Sequence, residues 1–598
     1  MFLHRVKATP DARAFGHPGP TDADSPAWLT WSQVADRAKA IAAGLRGLGV
    51  QPEDRVAILS STRIEWVLAD LGIMCAGAAT TTVYPTTEPD DAVYIIRDSG
   101  SKVLFAEDAA QAAKVSGADL PNLTAIVLID GDPGAVAAGV PVTTLAKLEK
   151  HGVQVLVDEP DLVEAIVEKI QPDHLATLIY TSGTTGRPKG VELLHAGWVW
   201  QGWYQCEIGM LKPDDLQFLW LPLSHSFGKT LLCGIMYEGI PTFVDGRIEK
   251  IVDNLAKIRP TLMCGAPRIF EKVYNRVVTG AREEGGAKWK IFSWAVRVGK
   301  RASALRLAGK RPGPLLALQY RVADKLVFTK LRQRLGGHIR ALVSGAAPLS
   351  KEIAEFFHAA GLPIYEGYGL TETSAGSFVN REDNVKLGTV GLPLGDLECK
   401  LDTDGEILLR GTPVMRGYHN LPEETAAAFT EDGWFRTGDI GEIDPGGFLR
   451  ITDRKKDLIK TSGGKYVAPS YIETQFKSIC PYVSQALVIG QARNYCTMLI
   501  TLDPDAIALW SAGGPLECKP YAEIVTSPEA QELVDPYVKE LNERLNRWET
   551  IKKYAILPRD LSIEDGELTP SLKIKRKGVE ASFRPEIDKL YQGTLAEV

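Results

Sequence analysis

The sequence predicts an α/β protein: a large N-terminal domain of mostly parallel sheets with a β-subdomain, followed by a smaller C-terminal α+β domain. In the first half, short β-branched runs alternate with helical stretches. Examples of these runs are Asp54–Ser60, Lys102–Phe105 and Thr124–Leu128. Continuous apolar strands separated by helices are typical of buried parallel sheets with helices on their faces.

Two changes of pattern predict the remaining parts. From about Gly405 the chain has short strands separated by Gly and Asp turns, as in Gly405–Arg410 and Asp444–Gly447, which is typical of a β-rich subdomain. After Asp453 a charged stretch introduces a third pattern. The elements predicted there are a helix near Ser470–Ser478 and strands at Ala486–Gly490 and Met498–Leu502.

Length and composition exclude several classes of protein. A chain of 598 residues exceeds a single hydrophobic core, so we expect at least two domains. The net charge of -7 argues against a general nucleic-acid binder. The stretch Met1–Lys7 becomes polar too early for a signal peptide, and the apolar run Val67–Ala79 is too short to span a bilayer. Eight scattered cysteines without metal-binding spacing indicate reduced thiols, so we expect a cytoplasmic protein.

The strongest motif is a loop rich in Gly, Ser and Thr, Tyr180–Gly190. It follows a predicted strand, Leu175–Tyr180, and precedes a predicted helix around Leu194–Tyr204. Glycines let backbone N–H groups approach an anion, hydroxyls add donors, and Lys189 adds positive charge. The spacing is not that of a Walker A loop. A flexible surface turn is the alternative, but the order of elements and the Pro-Lys-Gly ending favour a phosphate-binding loop.

A second motif is Tyr365–Thr373. In it, Tyr368 offers a flat ring for a purine, Thr371 a hydroxyl for phosphate, and Glu372 a carboxylate for Mg²⁺. A Gly-rich strand end with a chance acid is the alternative.

A third motif is Trp434–Asp439, in which Asp439 can accept hydrogen bonds from ribose hydroxyls, although a plain turn aspartate is the alternative. With these three motifs in one order, the chain resembles the adenylate-forming superfamily of acyl- and aryl-CoA synthetases, carrier-protein-loading adenylation domains and beetle luciferases. The resemblance covers nearly the whole chain. It is closest to the bacterial long-chain fatty acyl-CoA synthetases, through Pro267–Tyr274 and Gly566–Arg576.

The resemblance implies roles for particular residues. It implies contacts with the ATP phosphates for Thr181, Ser182, Gly183, Thr184, Thr185, Gly186 and Lys189. It implies adenine contacts for Gly345, Ala346, Ala347, Tyr368 and Gly369. Thr371 and Glu372 would serve phosphate and Mg²⁺, while Asp439 and Arg454 would bind the ribose. Lys456 falls at the family's hinge position and Lys573 at its catalytic lysine.

Lys573 also has a plainer interpretation, because Lys573–Lys577 could be a solvated basic tail. The family usually has a glycine directly before this lysine. Here Leu572 replaces that glycine, and long-chain synthetases share the departure.

The resemblance implies an acyl site at His225, with Gly228 and Gly265 leaving room beside it. The alternative for His225 is a buried histidine bonded to a backbone carbonyl. Gly463 and Gly464 lie where the family binds the pantetheine of coenzyme A, and a plain turn is the alternative there.

These roles imply an N-terminal adenylation domain, 1–453, and a mobile C-terminal domain, 454–598. The expected reaction is the ATP-dependent activation of a medium- to long-chain fatty acid as acyl-AMP, with transfer to coenzyme A. A fatty acyl-AMP ligase that loads a carrier protein, a luciferase-like oxygenase and an inactive lipid-binding relative are the alternatives. The expected small-molecule partners are ATP, Mg²⁺, the fatty acid and coenzyme A, and no nucleic acid is expected.

A basic segment, Arg282–Arg334, has only Glu283, Glu284 and Asp324 as acids. Its apolar residues are Trp289, Ile291, Phe292, Trp294, Ala295 and Val298. The cations among them are Lys288, Lys290, Arg297, Lys300 and Arg301. A helix of this kind can lie in an anionic bilayer interface, so the segment predicts peripheral membrane contact. The alternative is a set of surface helices that pack their apolar residues onto the large domain.

Overall fold

The computed structural model describes residues 1–19, 21, 25–137, 139–181, 187–462, 465–569 and 573–592. These residues form 26 β-strands and 22 α-helices. The strands are β1 Arg13–His17, β2 Ala27–Thr30, β3 Arg55–Leu59, β4 Ala79–Val83, β5 Val103–Ala106, β6 Ala125–Leu128, β7 Val142–Thr144, β8 Leu175–Thr181, β9 Lys189–Leu194, β10 Gln217–Leu219, β11 Thr242–Val244, β12 Leu262–Gly265, β13 Ala341–Ser344, β14 Ile364–Tyr368, β15 Phe378–Val379, β16 Leu392–Pro393, β17 Glu398–Leu401, β18 Glu406–Arg410, β19 Gly417–Tyr418, β20 Phe435–Ile443, β21 Leu449–Arg454, β22 Ile459–Lys460, β23 Tyr466–Val467, β24 Val483–Ile489, β25 Cys496–Leu502 and β26 Ile551–Ile556.

The helices, in chain order, are α1 Phe2–Ala8, α2 Trp31–Gly47, α3 Ile64–Cys75, α4 Pro89–Ser99, α5 Ala109–Ala113, α6 Leu145–Asp158, α7 Leu162–Val167, α8 His195–Glu207, α9 Ser226–Glu238, α10 Ile251–Ile258, α11 Pro267–Glu283, α12 Gly286–Leu307, α13 Pro314–Ala323, α14 Thr329–Arg334, α15 Lys351–Ala359, α16 Pro422–Ala428, α17 Pro469–Ile479, α18 Pro504–Ser511, α19 Tyr521–Val525, α20 Pro528–Arg544, α21 Arg576–Ser582 and α22 Arg584–Tyr591. Short 3₁₀ turns lie at Pro133–Ala135, Ile248–Lys250 and Thr371–Thr373, and a π-helical turn lies at Asp324–Phe328. Among the described helices, none combines the length and the hydropathy needed to cross a bilayer.

Two large sheets form the N-terminal domain. One has the strand order β16-β15-β14-β13-β12-β10-β11-β1-β2, and the other has the order β19-β9-β8-β4-β3-β5-β6-β7. Both are parallel through their centres and antiparallel only at their ends. A single hydrophobic core contains residues of both sheets and of the helices that pack on them.

The central strands are buried, and most of them are largely apolar, because both of their faces are covered. All four residues of β5, β6 and β13 are buried. A strand that packs against helices on both faces has no solvent side on which polar residues would alternate. This confirms the parallel α/β prediction for the first half of the chain.

The β-subdomain is an antiparallel sheet of order β17-β18-β20-β21. It ends at Arg454, the last residue of β21, and the exposed turn that follows leads into the C-terminal domain. The sheet therefore lies at the junction of the two domains.

The small C-terminal domain is an α+β unit around the sheet β24-β25-β26. Alternate residues of its strands belong to two separate cores: Ala486 and Val488 join one, while Leu487 and Ile489 join the other. Since successive side chains of a strand point to opposite faces, helices cover both sides of this sheet. Helix α17 contributes to the first core, and α21 and α22 contribute to the second.

The helix predicted around Leu194–Tyr204 is present as α8, and a strand that the sequence did not indicate precedes it. After the loop the chain first returns as β9, which pairs antiparallel with β8. The loop is thus the connection of a β-hairpin, and helix α8 begins only at His195. Strand β9 has β8 along one edge and β19 along the other, so its apolar residues lie inside the sheet.

A buried ion pair joins two helices of the large domain. The Nζ of Lys229 on α9 lies 2.6 Å and 2.7 Å from the two carboxylate oxygens of Asp70 on α3. The side chains are only 2% and 3% exposed, and Thr80 donates a further hydrogen bond to Asp70. The rings of Trp66 and Trp198 lie 5.8 Å and 5.6 Å from the same ammonium group. Each charge therefore depends on the other for its solvation.

Replacing Lys229 by methionine is expected to lower the free energy of unfolding by about 3–5 kcal/mol, because Asp70 would remain buried without its cation. Urea denaturation followed by tryptophan fluorescence measures this. The matched control is Lys212→Met, which breaks an exposed pair with Glu382 and should cost no more than about 1 kcal/mol. The double variant Asp70→Asn/Lys229→Met should recover part of the loss. Equal costs for Lys229→Met and Lys212→Met would contradict this role of the pair.

Candidate active site

The phosphate-loop motif lies between β8 and β9. Thr181, the last residue of β8, is the Cα partner of Lys189, the first residue of β9. Residues 182–186, which include Ser182, Gly183, Thr184, Thr185 and Gly186, lie outside the described residues. The Lys189 ammonium pairs with Glu424 and lies 5.1 Å from the centre of the Tyr418 ring. The hairpin therefore holds a cation at the base of the loop.

Thr371 and Glu372 lie in the 3₁₀ turn just after β14. The Tyr418 hydroxyl donates to Oε1 of Glu372 at 2.9 Å, which fixes the orientation of this half-buried carboxylate. The Thr371 hydroxyl is buried and lies 3.4 Å from that of Ser226, the first residue of α9. The turn thus contacts β19 through Tyr418 and the start of α9 through Ser226.

Three backbone segments meet beside this turn. The N–H of Gly345 donates to the carbonyl of Gly265 at 3.2 Å, so the ends of β12 and β13 lie together. Ala346 has a φ of 70°, a left-handed conformation that is unusual for a residue with a side chain, and Ala347 after it is exposed. At Gly369 a Cβ atom would lie 1.4 Å from the carbonyl oxygen of Ala375, so only glycine fits there.

Asp439 and Arg454 face each other across β20 and β21. They are Cα partners, and the Arg454 Nε lies 3.2 Å from Oδ1 of Asp439. The Tyr368 hydroxyl donates to the other oxygen of Asp439 at 2.7 Å. Burial raises the pKa of Asp439, and Arg454, Tyr368 and Lys573 oppose that rise. The second and third sequence motifs therefore meet through one carboxylate.

The C-terminal domain brings Lys573 to the same place. Its backbone is fixed by Thr569, whose N–H donates to the Lys573 carbonyl at 2.8 Å and whose hydroxyl accepts from the Lys573 N–H at 3.0 Å. Its residue is exposed to solvent. Desolvation by the surrounding protein, followed by the charge of Arg454, lowers the pKa of Lys573 to about 8, while Asp439 and Glu372 act in the opposite direction.

His225 lies at the N-terminus of α9, where its Nδ1 accepts from the N–H of Phe227 at 3.1 Å. Burial, followed by the charge of Lys573, lowers the pKa of His225 to about 3. The ring is therefore neutral at physiological pH, with Nε2–H as its donor. The histidine is held by a backbone N–H, whereas the alternative interpretation required a backbone carbonyl.

The two glycines predicted to leave room for an acyl chain have different kinds of neighbour. A Cβ at Gly228 would lie 2.1 Å from the carbonyl oxygen of Pro222, so this glycine permits close packing of α9 on the preceding turn and does not open a cavity. A Cβ at Gly265 would instead meet side chains, Ile269 at 2.9 Å and Trp220 at 3.1 Å. A Cβ would therefore be crowded at both positions, by backbone at Gly228 and by side chains at Gly265.

Polar contacts hold the two domains in this arrangement. Arg268 donates to Ser484 at 2.8 Å and lies 3.3 Å from Asp503, and Ser470 donates to Asp453 at 2.9 Å. Lys456 lies in the exposed turn after β21. Gly463 and Gly464 lie outside the described residues.

Comparison with known proteins identifies the family. Residues 2–419 match the family described as AMP-binding enzyme, and residues 456–595 match the AMP-binding enzyme C-terminal domain. The chain belongs to the AMP-binding enzyme family.

Two relatives show the extent of the similarity. The long-chain-fatty-acid–CoA ligase FadD15 of Mycobacterium bovis is 38% identical over 575 residues, which cover 94% of this chain and 92% of that protein. Fatty acyl-CoA synthetase A of Dictyostelium discoideum is 33% identical and covers 94% of this chain and 86% of its own. Among solved structures, the A domain of a carboxylic acid reductase from Segniliparus rugosus has a TM-score of 0.74 at 22% identity, covering 99% of this chain and 93% of that chain. That likeness supports the fold.

Sequence reasoning missed several residues of the site in this family member. Tyr418 and Glu424 contact Glu372 and Lys189, but no motif marks them. Glu366 on β14 belongs to the second motif, but the sequence indicates no role for it. Its side chain is buried, and this burial raises its pKa to about 8.

The charges around Lys573 predict a measurable proton equilibrium. In the free protein, half of Lys573 is expected to be deprotonated near pH 8, compared with its ordinary value of 10.5. Competitive acetylation with mass-spectrometric detection across pH measures the midpoint. Arg454→Gln removes a neighbouring cation and should raise it, whereas Asp439→Asn removes an anion and should lower it. A wild-type midpoint near 10.5, or one insensitive to both variants, would show that these charges do not surround Lys573.

Proposed function

We propose that this enzyme activates a medium- to long-chain fatty acid with ATP as an acyl adenylate and transfers the acyl group to coenzyme A, releasing pyrophosphate and AMP. One observation carries the proposal: the charges of Asp439 and Glu372 of the large domain act on Lys573 of the small domain, and the charge of Lys573 acts on His225. A site that combines cations, a carboxylate with an adjacent hydroxyl, and a neutral histidine can bind a nucleotide at one end and an acid at the other. The relatives named as long-chain-fatty-acid–CoA ligase and fatty acyl-CoA synthetase support this assignment.

In the first step, the carboxylate of the acid attacks the α-phosphate of ATP in line, and pyrophosphate leaves. No general base is required, because the nucleophile is already an anion. The work of the protein is to position the reactants and to stabilise charge on the phosphoryl oxygens. We assign charge stabilisation to Lys573 and to the loop that begins at Thr181 and ends at Lys189. Asp439, which Arg454 and Tyr368 orient, would accept hydrogen bonds from the ribose, and Tyr368, Gly369 and residues 345–347 would line the adenine.

Glu372 and Thr371 suit a magnesium ion. Mg²⁺ prefers oxygen ligands, and this site offers an oriented carboxylate beside a hydroxyl. When bound, the ion would neutralise phosphate charge as the pyrophosphate leaves. The protein's own part is to keep Glu372 in place through Tyr418.

The neutral imidazole of His225 suits the acyl end of the site. With Nδ1 engaged by Phe227, its remaining donor, Nε2–H, can contact the acid without adding a charge. We propose that the chain of the acid extends beside Gly265, where Trp220 and Ile269 supply apolar surface.

In the second step, the thiol of coenzyme A attacks the acyl carbonyl and AMP leaves. We propose that residues 454–598 form the mobile domain, that Lys456 is the pivot, and that Gly463 and Gly464 contact the pantetheine. The exposure of Lys456 in a turn between β21 and β22 supports a pivot at this position. Two half-reactions at one site need different surfaces, and rotation of a small domain supplies them.

We propose that the enzyme acts in the cytoplasm. All eight cysteines are described and free, which suits a reducing compartment such as the cytoplasm. We further propose peripheral contact with anionic membranes through residues 282–334. Phe292, Ala295 and Val298 are buried in the core, so the lipid-facing role predicted for these three residues is wrong. Other residues of the segment have to provide any such contact.

The substrate proposal is tested by measuring AMP release with coenzyme A across saturated acids of graded length. Medium to long chains should give the highest kcat/KM. Release of AMP with an acyl carrier protein but not with coenzyme A would favour the carrier-loading alternative. Absence of any ATP–pyrophosphate exchange would favour an inactive lipid-binding relative.

Replacing Lys573 by alanine should raise the adenylation barrier by about 2.7–4 kcal/mol, by analogy with the loss of a preorganised charge-stabilising donor. Thioester formation from supplied acyl-AMP should remain, because the lysine would act only in the first step. Single-turnover assays of each half-reaction separate the two. Lys577→Ala, which removes an exposed lysine four residues on, is the matched control and should leave both rates unchanged. Equal loss of both half-reactions in a folded Lys573→Ala protein would contradict the assignment.

A further inference from the structure

The Pro267–Tyr274 motif places a cation at the boundary between the two domains. Arg268 is the second residue of α11 and directly precedes Ile269, which lies beside the proposed path of the acyl chain. The guanidinium of Arg268 reaches the small domain, where it donates to the Ser484 hydroxyl at 2.8 Å and lies 3.3 Å from Oδ2 of Asp503. The motif therefore contributes one residue to each side of this boundary.

The small domain holds this cation in an acidic receiving site, which consists of Ser484, Asp503 and Asp560. Ser484 is buried and donates to Oδ2 of Asp560 at 2.6 Å, so its oxygen is free to accept from Arg268. Oδ1 of Asp503 accepts from the N–H groups of residues 505–506 and caps α18, which leaves Oδ2 for the guanidinium. The receiving site thus presents two carboxylates and an oriented hydroxyl to one cation.

Within the small domain, further contacts connect the receiving site to Lys573. Arg559, next in sequence to this site, forms two hydrogen bonds with the buried Glu567 at 2.8 Å and 2.7 Å. The Glu567 carbonyl accepts from the N–H of Lys575 at 2.7 Å, and Thr569 holds the backbone of Lys573. A movement that takes the receiving site away from the large domain therefore takes Lys573 with it.

We infer that Arg268 is a positioning residue for the first half-reaction, because its contact with the receiving site holds the small domain in the orientation that brings Lys573 to the phosphates. This role rests on the proposed function, in which Lys573 acts only in adenylation. The side chains of Arg268 and Asp503 are 27% and 12% exposed, so water screens their charges less than it screens those of an exposed pair. Rotation about Lys456 has to break the contact. Adenylation therefore needs the contact made, and thioester formation needs it broken.

A second charged pair crosses the same boundary and provides a matched control. Arg544 of the small domain lies 3.6 Å from Oε1 of Glu352 on α15, and these side chains are 39% and 34% exposed. A longer and more exposed pair contributes little to the position of a domain. Arg544→Met therefore removes the same charge from the same boundary without removing the contact of Arg268.

The test measures each half-reaction in Arg268→Met, in Asp503→Asn and in the double variant. Asparagine still caps a helix, so Asp503→Asn removes the charge and keeps the start of α18. Each single variant is expected to lower ATP–pyrophosphate exchange about tenfold or more, and to leave thioester formation from supplied acyl-AMP unchanged or faster. The double variant should lose no more than either single variant, because all three lack the same contact.

Two further variants show whether the charge and geometry of Arg268 matter. Arg268→Lys keeps the charge but not the planar guanidinium, so it should retain part of the exchange activity. Arg544→Met should change exchange by about twofold or less. Thermal melting of every variant verifies that it is folded.

Competitive acetylation of Lys573 reports the orientation of the small domain without relying on the reaction. The wild-type midpoint is expected near pH 8. In Arg268→Met the groups that lower the pKa of Lys573 would no longer surround it, so the midpoint should rise towards its ordinary value of 10.5. Arg544→Met should keep the wild-type midpoint.

Three results would overturn the inference. Equal loss of both half-reactions in folded Arg268→Met, with an unchanged Lys573 midpoint, would mean that Arg268 does not set the orientation. An equal effect of Arg544→Met would show that any charge at the boundary has this effect, and additive losses in the double variant would mean that Arg268 and Asp503 act separately. If the wild-type protein releases no AMP with any acid, the proposed reaction fails, whereas the Lys573 midpoint in Arg268→Met still decides whether Arg268 holds the domain.

Discussion

The pairing of Asp439 with Arg454 is the interaction on which the rest of the site depends. The register of β20 and β21 places the two residues opposite each other, at the edge where the large domain meets the small one. Tyr368 and Lys573 both act on the same carboxylate, so a strand of the large sheet, the β-subdomain and the C-terminal domain share one anion. Because Asp439 is buried, its charge is tolerated only while those partners are present. Burial makes the charge of Asp439 cost free energy, and it also fixes the positions of the partners that offset this cost.

Loss of hydration sets the chemistry of the other titratable groups in the site. It lowers the pKa of Lys573 to about 8 and that of His225 to about 3, and it raises the pKa of Glu366 to about 8. Burial therefore favours the neutral form of each of these three groups.

Long-range packing supports this local arrangement. Helix α9 carries His225 at its N-terminus and Lys229 one turn later, and Lys229 is tied to Asp70 in the interior of the domain. The position of the histidine thus depends on a buried ion pair and on the close contact that Gly228 allows with Pro222. Because α9 is held at Gly228 and at Lys229, its first turn, and with it His225, has a fixed position. In the other direction, α13 packs Ala323 into the core and leaves Leu315 and Leu318 exposed.

Local chemistry was determined by the sequence alone: the phosphate-loop residues, the Tyr368–Glu372 turn, Asp439 and the parallel apolar strands are all recognisable within short windows, because each depends on neighbouring residues. The tertiary structure decided which residues those short segments contact. Only packing shows that Lys573 meets residues more than a hundred positions away, that Tyr418 orients Glu372, and that Gly228 fills a tight contact. Packing also decided which apolar residues of the basic segment reach the surface, burying Phe292 and exposing Leu318. Contacts between distant segments leave no periodic signal in the chain, since each partner satisfies the same local rules whether or not they meet.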